Sequence, residues 1–244
     1  MTFQPNQTGG GGGPADGMQR INGVDVRAGT QVNAAFLTQA FFWMFAGLLL
    51  TAAVAAVVQL NPSLLLWAAN NFLILFLAQI GLVVVISAGI GRLNATAALG
   101  LFFVYAASLG ITIGLIVSLY TGESVVAAFL SSSAMFGGAA LYGYTTKRSL
   151  ASIGAFASMA VLGLIVAIIV NIFLSSGPLG FIISIVGVVL FTILTAYDVQ
   201  RISAGQLVER TGSVEKAAVI GALNLYLDFI NLFLFMLRLM GGRR

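Results

Sequence analysis

The sequence predicts an all-α polytopic membrane protein with seven transmembrane helices, and three observations predict it. Hydrophobic residues make up 59% of the 244 and charged residues only 7%, with a mean hydropathy of +1.05; soluble domains carry about 25% charge and could not cover such a surface. The apolar residues fall into runs of about 20, the length that crosses a hydrocarbon core of about 30 Å. Basic residues gather in alternate connections between those runs, which is the pattern of a threaded chain.

Residues 1–30 are a different material. The run Gly9 to Gly13, with Pro5 and Pro14, cannot bury a core, and it reads as a disordered glycine-rich tail. It lacks a basic start leading directly into an apolar core, so it is not read as a signal peptide. Residues 31–244 form the seven-helix domain. The first two crossings occupy the charge-free interval between Arg27 and Arg92, Ala34 to Gln59 and Phe72 to Gly91, divided by the turn signal Asn61-Pro62-Ser63. The third runs from Ala95 to Tyr120 and holds Gly110 and Gly114, a spacing that permits close helix contact. The fourth, Ser124 to Tyr144, contains Ser131 to Ser133 and Gly137-Gly138, which predict a bent or irregular helix. The fifth runs from Leu150 to Leu174, ended by Ser175-Ser176-Gly177-Pro178; the sixth from Leu179 to Ile202; the seventh from Gly221 to Gly241. Phe41 to Trp43, Trp67 and Tyr120 read as lipid-facing or interfacial.

Arg20, Arg27, Arg92, Lys147, Arg148, Arg201, Arg210 and Lys216 all fall on one side of this threading. The loops around Asn61, Glu123 and Gly177 carry no Lys or Arg, so the positive-inside rule expects a multi-pass protein of the cell (inner) membrane with a cytoplasmic amino terminus. Arg243 and Arg244 disagree. A full seventh crossing leaves them outside, but Gly221 to Met240 is about 30 Å as a helix and a full crossing is expected over a re-entrant one.

The chemistry lies in the last two crossings. Asn224, Asp228, Asn231 and Arg238 follow one another at spacings of four, three and seven, so they share one helix face. An Asp facing lipid at the centre of a span costs about 2.5–3.5 kcal/mol, so this stripe faces protein or water and the last helix is an interior one. Ser184, Phe191, Thr195 and Asp198 share a face of the sixth crossing. The two antiparallel helices can bring Asp198 and Asp228 together in the basic half of the membrane, although Asp198 lies roughly 5–10 Å nearer the surface if the sixth helix stops at Ile202. If they meet, they share one proton and titrate as a unit, a pH sensor made without histidine. Ionised, they repel each other or attract a hard cation such as Ca²⁺, weakly, because two carboxylates are few ligands.

Plainer readings stand beside these. Asp198 is either a member of the pair or an interfacial side chain bonded to Arg201. Asp228 is either a titrating group or a structural hydrogen-bonding residue with Asn224 or Asn231. Arg238 either snorkels to the outer interface or takes part in gating. Arg92 is either a topology charge or a cation placed to hold Asp198 shut. Without Cys or His, thiolate and imidazole metal sites, Ser-His triads and disulfides are excluded, and no cofactor is expected. Eleven Lys plus Arg against seven Asp plus Glu, widely scattered, make no nucleic-acid footprint.

The segments NLYLDFINLFLFMLRLMG, TAYDVQRI and LYGYTTKRSL resemble the corresponding segments of the Bax inhibitor family, the transmembrane Bax-inhibitor-motif proteins, in their bacterial form; the likeness runs from Gln31 to Gly241. The resemblance implies a last helix wrapped by the other six, and a pH-sensitive calcium leak gated by a di-aspartyl pair at Asp198 and Asp228. It also implies a latch arginine near Arg92. Three departures bear on the transfer: Asn224 stands where some relatives have an acid, Ser149 stands where Asp often follows GYTTKR, and the loop between the two aspartates is longer than in short bacterial relatives. Three functions are then open. One is a pH-gated cation leak preferring calcium. A second is a non-transporting regulator that binds another membrane protein, such as a quality-control protease. The third is an intramembrane aspartyl hydrolase, which lacks any other mark of a substrate cleft, so the chain is read as not an enzyme.

Overall fold

The computed structural model describes the backbone of residues 20–21 and 24–242 and the side chains of 35–242. Most of the expected tail therefore lies outside the described residues. A two-residue ladder pairs β1 (Arg20–Ile21) with β2 (Val24–Asp25). Helix α1 (Val26–Gln59) follows directly, so helix begins inside the stretch assigned to the tail.

Seven helices are long and apolar enough to cross a membrane, as expected. They are α1, α3 (Phe72–Gly89), α4 (Ala95–Val117), α5 (Gly122–Thr145), α6 (Ala151–Leu174), α7 (Gly177–Ser203) and α9 (Val214–Met240). Two short helices, α2 (Pro62–Asn70) and α8 (Gln206–Thr211), fill connections that the sequence reading left as loops. Start signals are chemical. Asn94, Thr121, Ser176 and Ser213 each accept a hydrogen bond from an amide of the first turn of the helix that follows. Helix α6 ends at Ser175, which adopts φ 49°, the left-handed conformation glycine usually supplies.

Three expectations are corrected here. The fourth crossing is one uninterrupted α-helix; Gly137 and Gly138 meet open space, so they serve neither a kink nor a close contact. The seventh helix begins at Val214, seven residues before Gly221, because Glu215 and Lys216 lowered the apparent hydropathy of a turn that Ser213 caps. Tyr120 is also buried rather than interfacial, covered by Gly241.

The bundle is organised around α9. Of its span, 61% is buried, against 11% for α3 and 17% for α6. It packs against α1, α4, α5 and α7, while α3 packs on α4 and α6 on α7. Direct packing around the last helix is thus by four of the other spans, with two in an outer layer. Helix α9 is continuous, and its end is fixed at the far side of the bundle, where the Gly242 amide donates to Ser124 Oγ at 2.9 Å and the Gly242 carbonyl accepts from the Thr121 amide at 3.2 Å. It crosses fully.

Small residues set the spacing. Gly110 and Gly114 of α4 lie against the backbone of α1 at Thr51 and Ala55, where added β-carbons would come within 2.8 and 2.9 Å of the two carbonyl oxygens. Nearby, the Thr51 hydroxyl donates to the carbonyls of Gly47 and Ala106, both at 2.9 Å, and meets the Tyr226 hydroxyl at 2.6 Å, tying α1, α4 and α9 at one point. Gly110→Val or Gly114→Val should separate α1 from α4 and cost about 1–3 kcal/mol or more. Thermal unfolding in detergent should show lower midpoints for both than for Gly137→Ala, whose added methyl meets nothing and favours helix.

Candidate functional site

The segment Tyr197 to Arg201 is the last two turns of α7, and each of its polar side chains is held by a neighbour. Gly143 of α5 lets that helix lie directly on the Ala196 backbone, and Gly154 of α6 lies under the Tyr197 ring; a β-carbon at either would collide with what it covers. Gln200 turns outward, accepting from the Leu150 amide at 2.8 Å and donating to the Arg148 carbonyl at 2.9 Å, so one side chain fastens the α5–α6 connection to α7. Arg201 lies over the Tyr197 ring at 5.7 Å and pairs with Asp198 at 3.7 Å, from Nη1 to Oδ1. Asp198 points inward and is 9% exposed.

Helix α9 presents Asp228 to this place. Contacts step down α7 as they climb α9: Gly180 with Arg238, Gly187 with Phe235, and Gly221 with Ile202. Interpolation sets Asp198 opposite Leu225, about one turn from Asp228, an axial offset of roughly 4.5 Å. Asp228 is 4% exposed, and its Oδ2 is a buried atom without a hydrogen-bond partner among the described residues. Helix α8 closes the basic end, its Leu207 buried against the helices and its ends turned by Gly205 and Gly212 at φ 73° and 68°.

The other expected site residues divide into three groups. Thr195 and Asn231 flank the pair but spend their donors on their own helices, Thr195 Oγ1 to the Phe191 carbonyl at 2.7 Å and Asn231 Nδ2 to the Leu227 carbonyl at 2.8 Å. Asn224 is half-buried one turn before Asp228. Ser184 and Arg238 belong to the opposite half: Ser184 Oγ donates to the Gly180 carbonyl at 2.8 Å, and Arg238 packs over Gly180. Arg92 is exposed in the turn between α3 and α4, and among the described residues no ion pair joins it to Asp198. Arg201, considered from sequence only as the plain alternative, is the cation that Asp198 meets. Gln200 and the two glycines were missed. Their partners are 40 or more residues away, and the one available signal is that Gln200 sits two residues from Asp198 and so faces away from it.

Chemically, the arrangement is two acids in a dry place with one arginine at the mouth. Among the described residues no three His, Cys, Asp or Glu gather to hold a metal. A single cation meeting two carboxylates here would be held weakly and could leave. Gln200→Ala should loosen the α5–α6 connection by removing two hydrogen bonds worth about 1 kcal/mol each. Hydrogen exchange should then quicken about tenfold or more at the Leu150 amide and stay unchanged at the α1–α4 contact.

Comparison with known proteins shows the family. Residues 33–244 match the family described as Inhibitor of apoptosis-promoting Bax1. Escherichia coli K12 inner membrane protein YbhL is 42% identical over 227 residues, 91% of this chain and 96% of YbhL. An uncharacterized Deinococcus radiodurans protein is 41% identical over 93% of this chain and 98% of its own length, and one from Borreliella burgdorferi is 41% identical over 86% and 92%. A chain that matches the family model over residues 33–244 and keeps YbhL's length at this identity belongs to the Bax inhibitor family.

Proposed function

We propose that the protein is a pH-gated leak for a hard cation, calcium preferred, in the cell (inner) membrane, with its amino terminus and its paired carboxylates on the cytoplasmic side. The observation that carries the reading is Asp228: a carboxyl group near the middle of the most buried helix, one oxygen unpartnered, beside a second acid. A structural aspartate would use both oxygens as acceptors. This one has room for a proton or a cation.

The sign of the pH dependence follows from charge. With one proton shared, the pair carries one negative charge and is held between Arg201 and the surrounding helices. Losing that proton leaves two like charges close together, which push α7 from α9 and draw a cation towards them. Leak should therefore rise as the cytoplasmic side becomes alkaline. The basic residues of that face support the orientation through the positive-inside rule, and the likeness to the inner membrane protein YbhL supports the compartment.

Calcium entry into liposomes containing the pure protein, followed from pH 6 to 8, tests the reading. Flux should climb with pH in the parent and become flat with pH in Asp228→Asn and Asp198→Asn, and unchanged profiles in both variants would remove the proposal. Absence of any flux, together with a partner protein that survives detergent extraction, would favour the non-transporting regulator instead. Arg201→Gln should release Asp198 from its counter-charge and raise the leak at neutral pH severalfold, whereas Arg92→Gln should leave the profile unchanged, since Arg92 makes no ion pair with Asp198.

A further inference from the structure

At the end of the bundle away from the paired carboxylates, α6 stops, the chain turns through Ser175 and Ser176, and α7 begins. A cavity of about 320 Å³ opens in this turn, lined by Asn171, Ser175, Ser176, Gly177 and Arg238 with two isoleucines of α6. Arg238 reaches across from the last turn of α9, and its guanidinium lies where a β-carbon of Gly180 would be. Asn171 is buried at 8% exposure; its Oδ1 accepts from the Ser176 amide at 3.2 Å, while its Nδ2 makes no hydrogen bond among the described residues. That Nδ2 stands 3.1 Å from the same Gly180 position, so the amide and the guanidinium converge.

Two features make this place electron-poor. A guanidinium beside the first turn of a 27-residue helix sets positive charge against the positive end of the helix dipole, an arrangement that an anion relieves. No carboxylate among the described residues pairs with Arg238. The side-chain groups left to act here are donors, the Arg238 fork and the Asn171 Nδ2; the Ser175 hydroxyl beside them donates to the Ile172 carbonyl at 3.5 Å. Arg238 is in the last turn of its helix, at the end of an apolar run long enough to cross a membrane.

We propose that this cavity binds a phosphate group, clasped by the Arg238 guanidinium and the Asn171 Nδ2 over Gly180, and supplied either as the phosphodiester of a lipid headgroup or as free phosphate. The site is independent of the leak, since it lies at the opposite end of α7 and α9 from Asp198 and Asp228.

The test uses the full chain in detergent, with native mass spectrometry to count bound dioleoylphosphatidylglycerol against dioleoylglycerol, which lacks the phosphate, and a separate titration with inorganic phosphate read by thermal unfolding. The parent should retain phosphatidylglycerol over dioleoylglycerol, and Arg238→Gln should weaken that retention about tenfold. Gly180→Ala should do the same while keeping the charge, because its methyl displaces the flexible end of Arg238 and crowds the Asn171 Nδ2 beside it. Loss of stabilisation by inorganic phosphate in both variants, with lipid retention unchanged, would identify the free ion as the ligand. If both variants keep the parent's lipid retention and phosphate response, or the parent shows neither, the site is overturned, whatever the calcium flux shows.

Discussion

The constraint on which the rest depends is the cost of placing an ionisable group at the centre of a bilayer. Asp228 can sit there only if other helices cover it, so α9 must be the most enclosed span. The packing follows from that need. Four helices press on α9, and the two that do not, α3 and α6, are almost wholly apolar and stand in the outer layer. The polar stripe of α9 is thus the reason for the layering, and hydrophobicity alone would not select which helix goes inside.

Close approach is achieved mainly by glycine. Gly110 and Gly114 seat α4 on α1, Gly187 makes room for the Phe235 ring between α7 and α9, and Gly143 and Gly154 hold α5 and α6 on the turn that ends in Asp198. Where lipid tails offer no hydrophobic drive between helices, such van der Waals contact and interhelical hydrogen bonds carry the association. The same device therefore stabilises the bundle and aims its carboxylates. The Thr51–Tyr226 contact adds rotational definition to α9 two residues before Asp228.

The two ends of the α7–α9 pair have opposite electrostatic character. At the basic end, two buried acids lie about a turn apart along the α7–α9 pair, one of them paired with Arg201. At the other, Arg238 and a helix N-terminus meet with no acid among the described residues. Each end holds charge that the protein itself does not fully compensate, which is the condition under which a proton, a cation or an anion binds.

The sequence by itself determined the crossings, their order and which face of the last helix is polar, because a run of about 20 apolar residues and a period of 3.6 are local properties. It also marked Asp198 and Asp228, since charge within such a run is conspicuous. What only the tertiary structure decided was partnership. Arg201 rather than Arg92 meets Asp198, Gln200 fastens a loop 50 residues earlier in the chain, and the register of α7 on α9 sets the carboxylates about a turn apart. These depend on helix register, on rotation and on where a capped but charged turn joins the helix, and those are set by packing between residues far apart in sequence, where no local pattern reports them.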